Sequence, residues 1–471
     1  MTNLDNRPAA AAARPRPRLD LGRLGLALAA PVLAIVFAVL LTSVVLLVSG
    51  EPAFSAYPLM VSYGFEPDSI VYILNRGTTY YLAALAVALG FRMNLFNIGV
   101  DGQYRLAAML AASVGGALAL PMALHLIVII VVAVLVGAAW AGIAGLLKVT
   151  RGVSEVISSI MLNTIATGLI AYLLTPELLG VRPEGSNNIT TQPLPGSAWF
   201  PWFPTPGGDV WGFIVVAALA GVAYHLVLNR TRFGFDLRAA GHSESAAVAS
   251  GVNVKRMVMT SMLVSGGIAG LIGMPQLLNG SHQYGLDFPT GIGFTGIAIA
   301  LLGRNHPLGI AFGALLWAFL DRSGSVLDSE GYPNEITTIM QGTIVVAVVI
   351  AYELVRRYGL ARQQRIVGAQ LRADARAAGS APAGADDPGK ADNPGKAEEP
   401  AKADEPIKAE EPAKPAEAEE PAKADGTEKP AEADEAAEPA TAQKPAKTEK
   451  PSGDDSAAPT EDDSSDGEGT R

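Results

Sequence analysis

Long apolar runs restrict the fold of this chain more than any other feature of its sequence. They dominate the chain from about Leu21 to Tyr358 and repeatedly reach membrane length. A helix of about 20 apolar residues crosses the ~30 Å hydrocarbon core of a bilayer. We therefore predict an all-α polytopic membrane protein.

The apolar runs divide into about ten transmembrane helices, two of which are short. The predicted spans are 24–48, 70–90, 102–120, 122–147, 153–174, 211–229, 257–279, 291–303, 307–320 and 336–355. Gly303, Arg304, Asn305 and Pro307 separate the two short spans. Interrupted spans are typical of broken helices that line a cavity. A tight hairpin between two short spans fits equally well.

The distribution of basic residues predicts that both termini lie in the cytoplasm. Arg14, Arg16, Arg18 and Arg23 precede the first span, and most loop Lys and Arg residues fall on the same side, as the positive-inside rule requires. The loop from Thr175 to Val210 has no lysine and one arginine, Arg182, and is expected outside. We predict a multi-pass protein of the bacterial cytoplasmic membrane.

The net charge of −10 belongs to the C-terminal tail. Residues 381–471 hold 26 acidic and 11 basic residues, which leaves 19 acidic and 24 basic residues in 1–380. We expect a disordered cytoplasmic N-terminal arm at 1–20, a transmembrane domain at 21–358, and a disordered acidic Ala/Pro/Glu/Lys tail at 359–471. Such a tail buries too little apolar area to offset the entropy of ordering.

The segment 230–256 is the one long polar stretch between spans. Ser243 is a plausible N-cap of a short helix, and Gly251 would follow the end of that helix. A capped cytoplasmic helix indicates a docking element. A solvated connecting loop remains an alternative. A helix-turn-helix DNA reader is disfavoured because flanking spans would hold it at the membrane, so we expect no nucleic-acid partner.

A polar stripe marks the fifth predicted span. Glu155, Ser159, Asn163 and Thr167 recur every four residues and share one helix face. Such a stripe faces either a water-filled pathway or a neighbouring helix, and the sequence leaves both open. In the seventh span the spacing of Gly266 and Gly270 favours close helix packing.

Motifs for catalysis or metal binding do not stand out. The chain has no cysteine, its five histidines lack metal-ligand spacing, and it has no phosphate-binding loop. We predict that the protein is not an enzyme and uses no metal or cofactor.

Three motifs resemble those of a known family. Phe96–Gln103 (FNIGVDGQ), the residues around Ser154–Asn163, and Gly293–Pro307 are similar to signatures of ABC importer permeases for nucleosides and simple sugars. The segment 230–256 is similar to the family's cytoplasmic coupling segment. The resemblance covers about residues 25–357.

The resemblance implies a function and partners. It implies a permease subunit that imports nucleosides or, alternatively, simple sugars. Its partners would be separate ABC ATPase subunits, a second permease, an extracytoplasmic substrate-binding lipoprotein and membrane lipid. We add Asn97 to the pathway residues, and expect the coupling residues to be Arg238, Ser243, Glu244, Ala246, Ala247 and Gly251. An ion-coupled secondary transporter is less favoured because the two halves show no clear repeat.

Overall fold

The computed structural model describes residues 36–379, except 38, 45, 49, 51–52, 184, 186 and 333–334. This part of the chain is mostly helical, as predicted. The predicted N-terminal arm at 1–20 and the tail residues 380–471 lie outside the described residues.

Thirteen α-helices form the described part of the chain. They are α1 (Val39–Val48), α2 (Ala53–Gly64), α3 (Pro67–Phe91), α4 (Val100–Ala117), α5 (Met122–Arg151), α6 (Glu155–Leu173), α7 (Phe213–Arg230), α8 (Arg232–His242), α9 (Glu244–Ala249), α10 (Val254–Gly270), α11 (Ile292–Leu302), α12 (Pro307–Ser329) and α13 (Glu335–Gly379). A π-helix at Gln276–Ser281 follows α10.

Five helices in the described ranges are long and apolar enough to cross a membrane. They are α5, α6, α7, α12 and the stretch Thr337–Ala361 of α13, while α1 and α11 are shorter apolar helices. The count of about ten is therefore not confirmed. The other predicted spans fall largely outside the described residues (24–48), in the charged helices α3 and α4, or in α10 and α11, which have only 17 and 11 residues.

Helix α3 owes its polar content to its central position. Eight consecutive residues, Leu82 to Leu89, are each at most 2 % exposed, because α3 packs against α7, α10, α11 and α12. A helix surrounded by protein can carry charges such as Arg76 that a lipid-facing helix could not.

Helices α5 and α10 pack closely through glycine. A Cβ atom at Gly137 of α5 would lie only 2.8 Å from the backbone nitrogen of Gly270. Gly266 likewise meets the Gly137 backbone and Ala141. The packing predicted for Gly266 and Gly270 is confirmed.

The interrupted segment forms one half-length helix and one long helix. Helix α11 rises only ~16 Å, whereas α12 continues to Ser329, nine residues beyond its predicted end. Arg304 and Asn305 turn the chain between them with φ of 54° and 55°. The second helix was predicted too short because Asp321 and Arg322 interrupt its apolar run; both are paired with groups on α3.

The loop predicted at 175–210 contains two antiparallel hairpins. Gly180–Val181 (β1) pairs with Thr190–Thr191 (β2), and Trp202–Thr205 (β3) with Gly208–Trp211 (β4). Asn75 of α3 holds the second hairpin, since its side chain bonds the Asp209 carbonyl at 2.9 Å and the Trp211 amide at 2.8 Å.

Helix α13 runs past the expected end of the transmembrane domain. It continues from Tyr358 to Gly379, so residues 359–379 are helical although they were predicted to begin the disordered tail. The stretch is rich in Ala, Arg, Gln and Leu, which favour helix, and it contains no proline. The next proline in the chain is Pro382.

Candidate functional site

The polar stripe of α6 lies along the segment that leads into α4. We call this contact the α4–α6 seam, formed by residues 96–105 and residues 155–167. At one end, Glu155 accepts a bond from Lys148 Nζ at 2.6 Å and lies 3.5 Å from the Phe96 amide nitrogen. Lys148, and not the nearer Arg151, is the basic residue that pairs with Glu155.

Asn163 joins the two helices through both ends of its amide. Its Oδ1 accepts a bond from the Gly102 amide and its Nδ2 donates to the Ile98 carbonyl, both at 2.9 Å. Helix α4 begins after Gly99 with no side-chain cap of its own. Asn163 therefore satisfies one of the N–H groups that every helix start leaves without an intrahelical partner.

Ser159 contributes packing to the seam. It is fully buried, and its hydroxyl bonds the Val156 carbonyl of its own helix at 3.1 Å. A Cβ atom at Gly99 would lie 3.1 Å from the Ser159 Cβ. A small residue on each side lets α6 approach the start of α4.

Thr167 ends the stripe at an exposed position beside a buried charge. Its Oγ1 accepts a bond from Arg105 Nη1 at 3.0 Å and donates to the Asn163 carbonyl at 3.1 Å. Arg105 lies 4.0 Å from Asp101 Oδ2. Arg105 was not among the predicted site residues, although a charge within an apolar stretch is a signal of function that the sequence contains.

Asn97 lies on the inner side of the seam and is 1 % exposed. Its side-chain amide forms two hydrogen bonds with the side-chain amide of Gln103, at 2.8 and 3.0 Å, and donates a third to Ser265 Oγ of α10 at 2.9 Å. Ser265 in turn donates to the Ala86 carbonyl of α3 at 2.7 Å. This buried chain joins three helices.

The third sequence motif, Gly293–Pro307, also contacts the start of α4. The Gly293 amide lies 3.4 Å from Asp101 Oδ1, and a Cβ at Gly293 would come within 2.9 Å of the Asp101 Cα. A Cβ at Gly296 would come within 2.8 Å of the Ala83 backbone. All three sequence motifs thus converge on the first turn of α4.

The structure brings the five predicted pathway residues to one region and uses most of their polar atoms for contacts between helices. Thr167 is the exposed member, and its neighbour Thr164 is exposed as well. A role of these residues in a pathway stays a prediction.

The segment 230–256 is a pair of short helices rather than a loop around one helix. Ser243 caps α9 by accepting a bond from the Ala246 amide at 3.3 Å, and Gly251 follows the helix with φ of 80°. The predicted helix and its caps are confirmed. Thr231 caps α8 in the same way, through the Gly234 amide at 3.2 Å.

The six predicted coupling residues divide between the surface and the interior. Glu244 and Ala246 are exposed, Ala247 is 2 % exposed, and Arg238 bonds the Leu228 carbonyl near the end of α7. The pair also exposes two apolar side chains that the sequence analysis missed, Phe235 at 64 % and Val248 at 61 %.

Known proteins resemble this chain over most of the described region. The family described as "Branched-chain amino acid transport system / permease component" matches residues 69–349. The guanosine ABC transporter permease protein of Bacillus subtilis is 34 % identical over 69 % of this chain and 93 % of its own length.

Two further relatives have comparable coverage. The glucose ABC transporter permease protein of Haloferax volcanii is 32 % identical over 69 % of this chain and 87 % of its own length. The nucleoside ABC transporter permease protein of Lactococcus lactis is 30 % identical over 68 % and 90 %. These relatives are transporter components rather than enzymes. The chain belongs to the family of branched-chain amino acid transport system permease components.

Proposed function

We propose that this chain forms the translocation pathway of an ABC importer for nucleosides in the bacterial cytoplasmic membrane. ATP would be hydrolysed on a separate polypeptide that docks on α8 and α9. The observation that carries the proposal is the convergence of the three motifs on the first turn of α4, in a chain of a permease family.

The docking surface is argued from exposed apolar groups. Phe235 and Val248 are exposed on short polar helices. Without a partner protein, both apolar side chains would face water, and exposed apolar residues on such an element mark an interaction site. Ala246 and Glu244 are exposed on the same short helix. Ala247 and Arg238 would act from beneath, by holding α9 and the end of α7 in place.

A second permease subunit would complete the pathway. Only six of the 19 residues of helix α6 are buried, and its free side carries Thr164, Thr167 and Gly168. Hydroxyl groups are poor neighbours for lipid tails, so this side suits a water-filled path or another subunit better. An extracytoplasmic lipoprotein would deliver the solute to the predicted outer hairpins, with both termini of the permease in the cytoplasm.

The nucleoside assignment is supported by relatives from Bacillus subtilis and Lactococcus lactis whose names specify guanosine and nucleosides. A simple sugar is the second candidate, because the Haloferax volcanii glucose permease matches this chain over a similar length. Uptake of radiolabelled guanosine and glucose, in cells with and without the gene, distinguishes the two. Loss of glucose uptake alone would overturn the nucleoside assignment.

Coupling is tested by Val248→Asp, which places a charge on the exposed apolar surface without touching the buried side of α9. We expect at least a tenfold loss of ATPase co-purification and of uptake, with normal amounts of inserted permease. Val181→Asp, at an exposed apolar residue of β1, is the matched control and should leave ATPase association unchanged. Normal association of the Val248 variant would identify α8 and α9 as a connector only.

A further inference from the structure

Arg105 is a partly buried cation to which the proposed function assigns no role. It lies in the second turn of α4, and its side chain is 13 % exposed. Its only carboxylate partner among the described residues is Asp101, at the long distance of 4.0 Å. Its Nε is buried without a hydrogen-bond partner in the described part of the chain.

A purely structural role explains this arrangement poorly. A guanidinium has five N–H donors, and leaving a buried donor unpaired costs about 1–3 kcal/mol. Arg76 of α3 shows the contrast: its Nε donates to the Tyr80 hydroxyl at 3.2 Å, and that hydroxyl is bonded to Asp321. The Arg105 side chain also lies within hydrogen-bonding reach of Tyr284, so the donor that stays without a partner is Nε.

Besides Asp101 and Tyr284, Arg105 contacts Thr167 on the free side of α6. Its Nη1 donates to Thr167, which is exposed, and Thr164 and Gly168 lie exposed around it. A Cβ at Gly168 would meet nothing within 4 Å. Thr167 lies ~18 Å of helix rise from Glu155, in the middle part of a ~30 Å hydrocarbon core. Arg105 thus lies next to an exposed face of α6 that carries hydroxyl groups.

We propose that Arg105 recognises the transported solute through a pair of acceptors on one edge of a purine base. This inference rests on the proposed function and deepens it. Arginine is the side chain that matches two adjacent acceptors, as in its bidentate contact with O6 and N7 of guanine. A 6-oxopurine nucleoside is neutral and offers this pair, whereas adenosine replaces the O6 acceptor with an amino donor.

Asp101 and Thr167 are positioning residues in this arrangement. The Asp101 carboxylate balances the charge of Arg105 from the same helix. The Thr167 hydroxyl donates to the Asn163 carbonyl, so its lone pairs remain available for Arg105 Nη1. The guanidinium is therefore oriented before the solute arrives, which lowers the entropy cost of binding.

The test compares the uptake of guanosine, 7-deazaguanosine and adenosine in cells where the full chain carries Arg105→Lys, which keeps the charge beside Asp101 but loses the planar fork. 7-Deazaguanosine retains O6 and lacks the N7 acceptor. The wild type should prefer guanosine over both analogues by about tenfold, the scale of one lost bidentate contact. Arg105→Lys should reduce that preference to about twofold or less.

Two further variants separate recognition from folding. Thr167→Val keeps the side-chain shape and removes the acceptor for Nη1, so it should lower the preference in part. Arg76→Gln, the matched control in the Tyr80–Asp321 cluster, should change the amount of permease and leave the preference unchanged. The delivering lipoprotein is the same for every variant, so its own selectivity cancels in the comparison.

The outcomes distinguish the two proposals. Nucleoside uptake with the full wild-type preference in both Arg105→Lys and Thr167→Val would overturn the role of Arg105 and leave the importer function standing. A wild type that imports the three nucleosides equally would also overturn it. Absence of any nucleoside uptake would instead reject the proposed function.

Discussion

Replacing Asn163 with leucine tests whether the α6 stripe holds helices together. The change keeps a side chain of similar size and removes the two 2.9 Å bonds to the Gly102 amide and the Ile98 carbonyl. We expect the loss of these two hydrogen bonds to make the permease less stable, with little direct effect on solute uptake per complex.

The magnitude follows from the two bonds. Interhelical hydrogen bonds in membranes average ~0.6 kcal/mol and reach ~1.7 kcal/mol. The Gly102 N–H has no intrahelical acceptor at the start of α4, so leaving it unpaired adds a cost in the range of ~1–3 kcal/mol. We expect Asn163→Leu to lower the free energy of unfolding by about 2 kcal/mol.

The assay is thermal unfolding of the detergent-solubilised complex together with uptake per assembled complex. Thr164→Val is the matched control, because Thr164 is the next residue in the chain and is exposed. We expect this change to alter the free energy of unfolding by less than about 0.5 kcal/mol. If Asn163 only holds the helices together, uptake falls in proportion to the amount of complex that survives. An unchanged melting temperature with strongly reduced uptake per complex would refute it and place Asn163 in the pathway.

Two further predictions concern topology and pH. A cysteine at Gly196, which is exposed with open space around it, should react with an impermeant thiol reagent from outside, and one at Ser245 only after the membrane is opened; the reverse pattern would contradict the predicted orientation. Burial lowers the pKa of His282, a residue that follows the π-helix and stacks on Trp199 at 4.1 Å. The unfolded chain therefore binds a proton that the folded chain resists, and the melting temperature should decrease as pH falls through about 6.5. His282→Asn, which also tolerates the φ of 51°, should weaken that decrease, and an identical pH profile would exclude the contribution of His282.

The sequence predicted the local features that depend on neighbouring residues. The Ser243 cap needs only a hydroxyl three residues before a free amide, and Gly251 needs only the freedom to adopt positive φ. The spacing of Gly266 and Gly270 likewise predicts a helix face on which a neighbouring helix backbone can approach closely. These predictions are confirmed because their physical causes lie within one helix or one turn.

The sequence by itself predicted an apolar helical membrane chain with a polar capped element between two of its spans, since run length and capping are local properties. Only the tertiary structure decided which helices are enclosed by protein. Enclosure explains how α3 and α4 can carry charged residues inside predicted spans. It also decided that the Asn163 amide meets the first turn of α4, and that Arg105 lies against Thr167. Hydrogen bonding between residues about 60 positions apart depends on how the helices pack, and periodicity within one helix carries no information about its partner.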